Sequence, residues 1–263
     1  MSTIRIADRG EGVRVLALDR PPANTINATL LTDLMNEISA AEQDDTVRAV
    51  VLTGTGKFFS GGFDLSEARP ETHHEARENL LYRSIFRDAH VALLSFPKPT
   101  IAMLSGHAIA GGLIMLLTCD YRLGVEGEYK IGLNEVAIGA AFPLIAHEIV
   151  ALRLAHARAS ELLLGAALYP ASQALRLGVV DELFAPDVFE TTALRRAARM
   201  GAFPREAYAH TKARLVAPVL ERVRAESPDD VARTAAIWAT PESVAARAEQ
   251  LEKLGVTKRE PVR

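Results

Sequence analysis

Short apolar runs recur over the first half of the chain, and one amphipathic stretch lies between the first run and the second. Four of these runs are rich in β-forming residues and are bounded by glycine, proline or charged residues, so they predict strands. They lie at residues 12–22, 47–56, 99–106 and 120–125. Asn27 predicts the N-cap of a helix. The apolar stripe of that helix consists of Leu30, Leu31, Leu34, Met35, Ile38 and Ala41. Buried strands that alternate with helices favour an α/β fold with parallel strands.

The longest uncharged stretch is residues 99–119, which contain no Asp, Glu, Lys or Arg. About 20 apolar residues suffice to cross a bilayer, so this stretch raises the question of a membrane span. Polar residues at 105–107 and the pair Gly111–Gly112 interrupt it, and no second such stretch follows. We therefore expect a buried strand, a turn and a buried helix here, and no membrane as partner.

The second half of the chain changes character near residue 143. Helical patterns dominate there, apart from a brief strand predicted at residues 179–184, and from about residue 187 onward every pattern is helical. A helical tail with apolar stripes and no sheet to cover packs either on the core or on a neighbouring subunit. The sequence contains no short-period repeat, low-complexity block or long linker that would separate independent domains.

Composition and charge narrow the classes of function. The formal net charge of -3 gives no electrostatic case for a nucleic acid or an anionic membrane as partner. The one cysteine, Cys119, excludes an intrachain disulfide framework and fits a reducing compartment. The N-terminal residues lack the apolar region of a signal peptide, so a cytoplasmic location is expected. A zinc-type motif at residues 147–151 lacks its second histidine, and no metal site is predicted.

Two glycine-rich segments follow buried strands. They are "KFFSGGFDLSEA" at residues 57–68 and "GHAIAGG" at residues 106–112. Each passes into predicted helix, so each is expected to present backbone N–H groups at a helix N-terminus, where the dipole favours negative charge. Either segment alone is typical of an ordinary turn. Together they could hold one oxygen between two N–H donors, which is an oxyanion hole.

Glu135 lies in the otherwise apolar segment "YKIGLNEVAIGAAFP" at residues 129–143. A carboxylate in apolar surroundings has its pKa raised toward neutrality, which suits a general acid and base. A surface glutamate on an amphipathic turn explains the local pattern equally well, and the pattern leaves both interpretations open.

Three motifs in order, "SGGFDL", "GHAIAGG" leading to "LTCDYRL", and "IGLNEVAIG", resemble those of the crotonase superfamily, also called the enoyl-CoA hydratase/isomerase family. The resemblance covers residues 10–190 and includes "LDRPPANTINATLLTDL" near the N-terminus. It implies a crotonase-type spiral of ββα units that binds an acyl-CoA thioester over residues 1–195. It also implies a C-terminal α-helical region, residues 196–263, that forms a homotrimer or a dimer of trimers. No cofactor is implied beyond the coenzyme A of the substrate.

By motif, the resemblance places the two oxyanion N–H donors on Phe63 and Gly111 and the acid/base on Glu135. Gly111 lacks a side chain and so lets a thioester approach, whereas Phe63 donates only its backbone N–H. The other predicted substrate contacts are Ser60, Gly61, Gly62, Asp64, Leu65, Ala110, Gly112, Ile114, Ile138 and Phe142.

Ile114 is the departure from the hydratase pattern. Hydratases of the family carry a glutamate three residues after the oxyanion glycine, and the neighbours of Ile114 offer no substitute. One carboxylate is enough to move a proton between two carbons. The residues of the motifs "LTCDYR" and "IGLNE" also resemble those of the Δ3-Δ2-enoyl-CoA isomerase branch. We therefore expect an enoyl-CoA isomerase of fatty acid metabolism.

Two kinds of alternative stay open. One is another enzyme of the family, namely a hydratase with a different second acid, a decarboxylase, a hydrolase or a lyase; the other is an acyl-CoA-binding protein without turnover. The candidates for a second acid are Glu67, Glu148 and His147, each of which is more commonly a solvated surface residue.

The candidates for contacts with the coenzyme A phosphates are Lys57, Arg69 and Lys212. Residues 68–81 are expected to help shape the acyl pocket, so the acyl chain length stays open.

Overall fold

The computed structural model of the chain describes residues 2–65 and 73–254, and within residues 73–83 it describes the backbone alone. The strands in these ranges are β1 (Ile4–Arg9), β2 (Val13–Leu18), β3 (Ala49–Gly54), β4 (Phe58–Ser60), β5 (Thr100–Leu104), β6 (His107–Ile109), β7 (Tyr121–Val125), β8 (Lys130–Gly132), β9 (Leu168–Pro170) and β10 (Glu182–Phe184). The α-helices are α1 (Ala28–Gln43), α2 (His73–Ser95), α3 (Gly111–Thr118), α4 (Leu144–Arg153), α5 (His156–Gly165), α6 (Ala171–Leu177), α7 (Pro186–Gly201), α8 (Arg205–Arg224), α9 (Pro228–Trp238) and α10 (Pro241–Lys253). Short 3-10 turns lie at Gly10–Gly12 and Val136–Ile138.

The large sheet has the strand order β1-β2-β3-β5-β7-β10. β1 pairs antiparallel with β2, and the other neighbouring pairs are parallel. Every residue of β3 and β5 is buried, as expected for strands covered on both faces. The sequence patterns predict β2, β3, β5, β7 and β10, and the structure confirms them. They do not reveal β1, because only Ile4 of this edge strand is buried and the apolar pattern is weak.

The second sheet joins four three-residue strands in the order β4-β6-β8-β9. Sequence patterns do not reveal these strands, because three residues are too few to show alternation. β4 and β6 lie inside the two glycine-rich segments and pair in parallel. A long strand, a short strand and a helix therefore recur in order, as in β3-β4-α2 and β5-β6-α3. The predicted α/β fold of ββα units is confirmed.

α1 begins where its predicted cap lies. The side chain of Asn27 accepts a hydrogen bond of 2.9 Å from the N–H of Leu30, which satisfies one donor at the start of the helix. Five of the six stripe residues are buried, and Met35 packs against the core from a partly buried position. The helix therefore docks on the sheet as its periodicity predicts.

The uncharged stretch at residues 99–119 forms β5, β6 and α3. All eight residues of α3 are buried, which explains why its composition is apolar on every face. Arg153 of α4 donates hydrogen bonds of 3.0 and 3.1 Å to the carbonyls of Leu117 and Thr118, and so caps the C-terminal end of α3. No helix in the described part of the chain is long and apolar enough to cross a bilayer.

The C-terminal helices attach to different parts of the core. α7 packs on the large sheet through Phe189, Ala193 and Ala197, so residue 195, the end of the predicted first unit, lies inside a helix that belongs to this core. α8 packs against α4 and α2. α9 and α10 turn back toward the segment that follows β8, and α10 contacts the 3-10 turn there. The predicted division into two units and its role in oligomerisation stay predictions.

Candidate active site

The two glycines that begin α3 meet different surroundings. A Cβ on Gly112 would clash with the backbone oxygen of Ser60 and come within 2.7 Å of its Cβ. A Cβ on Gly111 would lie 3.4 to 3.6 Å from side-chain carbons of Ile26, Phe86 and Phe63, which is ordinary van der Waals contact. Gly112 is therefore required for packing of α3 on β4, whereas the apolar side chains around Gly111 leave room for a Cβ.

The backbone N–H of Gly111 is the first of the α3 helix, so the helix itself supplies no acceptor for it. Ala110 precedes it with a φ of 53°, a left-handed value that turns the chain sharply between β6 and the helix. The positive end of the helix dipole lies at this N–H. A helix start of this kind can bind a negative oxygen, and the role of Gly111 as an oxyanion donor stays a prediction.

Phe63 approaches α3 because of Gly62. A Cβ on Gly62, whose φ is 83°, would lie 2.8 Å from the Cβ of Ala110 and 3.3 Å from the nitrogen of Gly111. Glycine thus allows the two segments to touch, and the ring of Phe63 lies against the same space as Gly111. Gly62 therefore brings the segment that contains Phe63 against the start of α3, and the pairing of the two N–H donors stays a prediction.

Phe63 lies in an extended segment that pairs with the chain before α1. It pairs with Ile26 in an isolated parallel bridge, and the N–H of Asp64 donates to the carbonyl of Ile26 at 2.9 Å. The next described helix is α2, from His73. Residues 66–72 lie outside the described ranges, so the predicted helix N-terminus after this segment stays a prediction.

The second sheet brings Glu135 close to Gly111. The N–H of Ala110 donates to the carbonyl of Gly132 at 2.9 Å, and Glu135 follows three residues later, within a reach of about 10 Å. The carbonyl of Glu135 accepts hydrogen bonds from Ile138 and Ala140 at 3.1 and 2.8 Å. These bonds close the turn that directs the Glu135 side chain inward.

The Glu135 carboxyl is buried, with 4% of the residue exposed. Burial raises its pKa from 4.5 to about 8, although hydrogen bonds from the backbone of Glu135 and Asn134 oppose this change. Its Oε2 is buried and has no hydrogen-bond partner among the residues that the structure describes. The structure therefore resolves the two interpretations of Glu135 in favour of a desolvated carboxyl, and one of its oxygens is available for a ligand.

Ile114 lies one turn into α3 and is 1% exposed. It belongs to the hydrophobic core, so the position that carries a glutamate in the hydratase pattern contributes no charge here. Ile138 and Phe142, the predicted apolar contacts after Glu135, are each 8% exposed.

Other predicted contacts have structural partners. The Ser60 hydroxyl donates to the carbonyl of Asn24 at 2.8 Å and accepts from the N–H of Gly62 at 3.2 Å, which holds the first segment in shape. Asp64 pairs with Arg20 at 2.6 Å. Gly61 donates its N–H to the carbonyl of Ala23. Leu65 is half-buried at the end of the described range.

Two of the three candidates for a second acid contact other residues. Glu148 forms an ion pair of 2.6 Å with Arg222 of α8, and His147 is exposed with its ring against that of Phe142. Glu67 lies outside the described residues, as do Arg69 and the start of the loop expected to shape the acyl pocket.

Of the basic candidates for coenzyme A, Lys57 is exposed, whereas Lys212 is not a surface residue. Lys212 is 5% exposed and its ammonium pairs with Asp120 at 2.7 Å. The structure therefore removes Lys212 from the candidates.

Trp238 and Arg247 are residues near the site that sequence patterns do not reveal. The ring of Trp238 lies edge-on to that of Phe63, with 6.1 Å between the ring centroids, and its Nε1 donates to the carbonyl of Ala141 at 2.8 Å. Arg247 donates to the carbonyl of Gly139 at 3.2 Å. The only signal in the sequence is that Trp238 is the single tryptophan of the chain.

Comparison with known proteins agrees with this arrangement. The model of the enoyl-CoA hydratase/isomerase family matches residues 8–252. The human mitochondrial enoyl-CoA delta isomerase 1 is 30% identical over 85% of this chain and 74% of its own length. A probable enoyl-CoA hydratase of Mycobacterium avium is 33% identical over 83% of both chains. The crystal structure of human mitochondrial delta3-delta2-enoyl-CoA isomerase superposes with a TM-score of 0.90 at 27% identity, covering 96% of this chain and 98% of that one. The chain therefore belongs to the enoyl-CoA hydratase/isomerase family.

Proposed function

We propose that this enzyme of the family is an enoyl-CoA isomerase, which moves the double bond of a 3-enoyl-CoA to the 2 position. The observation that carries the proposal is one buried carboxyl, Glu135, with an oxygen that no described residue bonds, while Ile114 occupies the place of a second acid. A single carboxyl can both remove and return a proton. The similarity to the human isomerase supports the same conclusion.

In the proposed reaction the thioester oxygen accepts hydrogen bonds from the N–H groups of Phe63 and Gly111. The Glu135 carboxylate removes a proton from C2, and the electron pair of that C–H bond delocalises into the thioester to form a dienolate. The two N–H donors stabilise the negative oxygen. Glu135, now protonated, returns the proton to C4, so the C2=C3 double bond and the thioester carbonyl form together. Atoms balance without any cofactor.

Hydration of a 2-enoyl-CoA is the second candidate, because the chain is also similar to a probable hydratase at 33% identity. Addition of water requires a group that holds and activates the water. Glu148, one candidate for this group, is engaged with Arg222.

The test compares trans-3-hexenoyl-CoA with crotonyl-CoA. We expect the wild type to convert the first to the conjugated 2-enoyl thioester, followed by its ultraviolet absorbance, and to add water to crotonyl-CoA far more slowly. Glu135→Gln removes the acid/base and should lower kcat by about 10² to 10⁴-fold. The matched control is Glu128→Gln, at an exposed glutamate just before β8, which should keep wild-type kcat. Equal rates for wild type and Glu135→Gln contradict the assignment, and faster hydration than isomerisation favours the second candidate.

The same assay has an expected pH dependence. The carboxylate form of Glu135 starts the reaction, and burial raises its pKa to about 8, so the active form is a minority at neutral pH. kcat/KM should rise about tenfold per pH unit up to about pH 8 and then level off, since kcat/KM reports the free enzyme. A constant kcat/KM between neutral pH and about pH 8 would contradict the assignment of Glu135 as the base.

A further inference from the structure

We propose that Arg247 is a positioning residue, which pins α9 and α10 of the same chain to the segment that carries Glu135. The inference rests on the proposed function for its catalytic consequence, and on the contacts of residues 238–247 for its structural part. Three points of contact join this helix pair to residues 139–141. They are the bonds from Arg247 to Gly139 and from Trp238 to Ala141, and the close packing of Ser243 on Gly139.

Arg247 is buried, with 5% of the residue exposed, although it carries a charge. Its guanidinium donates to the carbonyls of Gly139 and Trp238, and its Cζ lies 5.2 Å from the centroid of the Trp238 ring. No carboxylate among the side chains of residues 2–65 and 84–254 forms an ion pair with it. The two carbonyls and the indole face therefore provide the interactions that offset the loss of hydration, and this ties Arg247 to one geometry.

Gly139 is shaped to receive this contact. Its φ is 66°, and a Cβ there would clash with the Cα of Ser243 and lie 2.7 Å from its Cβ and Oγ. Glycine thus permits both the left-handed end of the 3-10 turn and the close approach of α10. Ser243 is itself buried, at the first turn of α10.

The contact affects the site because residues 139–141, to which the helix pair is bound, continue the turn that begins at Glu135, here called the Glu135 turn. The carbonyl of Glu135 holds the N–H groups of Ile138 and Ala140, which flank Gly139, so displacement of Gly139 loosens the turn. Trp238, whose carbonyl Arg247 holds, places its ring against Phe63. One guanidinium thus supports the segments of both the proposed base and one oxyanion donor. A shift of about 1 Å at a reacting group can cost about 10²-fold in rate.

The experiment uses the full chain with Arg247→Ala, Arg247→Lys and, as matched control, Arg233→Ala at an exposed arginine of α9. Trp238 is the only tryptophan, so tryptophan emission reports the docking of this helix pair without an added probe. Arg247→Ala should shift the emission toward that of a water-exposed indole and lower kcat by about 10²-fold, a larger factor than the change in KM. Arg247→Lys keeps the charge but loses the planar pair of donors, so its kcat should be intermediate.

Guanidinium ion, added well below the concentration that unfolds the wild type, should restore part of the kcat of Arg247→Ala and leave Arg233→Ala unchanged. A merely structural role predicts no such rescue. Wild-type kcat in Arg247→Ala overturns the proposal, whether or not the emission shifts. If this variant does not fold, wild-type kcat in Arg247→Lys overturns it. If the wild type fails to isomerise 3-enoyl-CoA, the proposed function is wrong, while the emission shift still decides whether Arg247 docks the helices.

Discussion

At the scale of single residues, Gly111 and Gly112 show that neighbouring glycines can be required for unrelated reasons. At Gly112 the protein backbone of Ser60 occupies the space where a side chain would stand. At Gly111 the nearest atoms leave room for one methyl group, so the fold does not require glycine there. We propose that the substrate thioester binds in that space, where a methyl group would compete with it.

Alanine substitutions should separate these two roles. Gly112→Ala forces α3 away from β4 and should lower the free energy of unfolding by about 1 to 3 kcal/mol, as overpacking commonly does. Gly111→Ala should change that free energy by less than about 1 kcal/mol, since alanine is the better helix former. It should nevertheless lower kcat/KM for 3-hexenoyl-CoA by about 10²-fold or more, because it disturbs an oxyanion donor. Urea unfolding and the isomerase assay measure both quantities, and a fully active Gly111→Ala would refute the assigned role.

At the scale of elements, α8 is fixed by a partly buried carboxylate, Asp120, which directly precedes β7. Asp120 accepts hydrogen bonds from Tyr208 and Lys212 of α8 at 2.9 and 2.7 Å, and from the N–H of Thr100 at 3.0 Å. Burial lowers the pKa of Lys212 and the nearby Asp120 opposes this. The polar cluster joins the helix to β5 and β7 in one arrangement, which apolar contacts alone specify less sharply.

Lys212→Met tests this anchor. It leaves the partly buried Asp120 without its main positive partner, and should lower the free energy of unfolding by about 3 kcal/mol, because removal of one partner leaves the other charge uncompensated. The residual attraction of Arg153, 3.6 Å from Asp120, limits the loss. The matched control is Lys253→Met, since Lys253 pairs with Glu249 on the exposed face of α10. That change should cost about 0.5 kcal/mol or less. Equal costs for the two variants would contradict the anchor.

At the scale of the whole molecule, the C-terminal helices divide into two groups by what they bury. α7 and α8 complete the core with residues such as Phe189, Ala193 and Val219. α9 buries no residue, and α10 buries only Ser243 and Arg247, which both face the Glu135 turn. The last two helices therefore contribute more contacts to the candidate site than to the hydrophobic core. Assembly into trimers or hexamers stays a prediction.

A chain that ends at residue 226 should accordingly fold but not catalyse. Loss of α9 and α10 removes few core contacts, so the free energy of unfolding should fall by about 2 kcal/mol or less, a change of a few degrees in Tm. The isomerase rate should fall at least about 10²-fold, because the Glu135 turn loses its support and the site gains water. Thermal unfolding and the isomerase assay check both parts. A truncated chain with wild-type kcat would exclude a role for α9 and α10 in the site.

Much of the fold could be predicted from the sequence because its signals are local. The cap at Asn27, the stripe from Leu30 to Ala41 and the apolar runs of β3 and β5 each lie within one element, where periodicity and capping act. The three-residue strands could not be found in this way, since pairing between β4, β6 and β8 is a contact between distant residues. β1 could not be found for a different reason, because this exposed edge strand carries little apolar pattern.

The sequence by itself determined the chemistry available near the site: two glycine-rich segments, one carboxyl at Glu135 and an isoleucine at 114. Residue type and spacing identify these groups without tertiary information, and the resemblance to the family assigns them to one site. Only the tertiary structure decided that Glu135 is desolvated, that Lys212 is an internal ion-pair partner, and that Trp238 and Arg247 lie on the Glu135 segment. Burial and contact depend on chain segments that are about 100 residues apart, and the pKa of a carboxyl is set by what surrounds it in space.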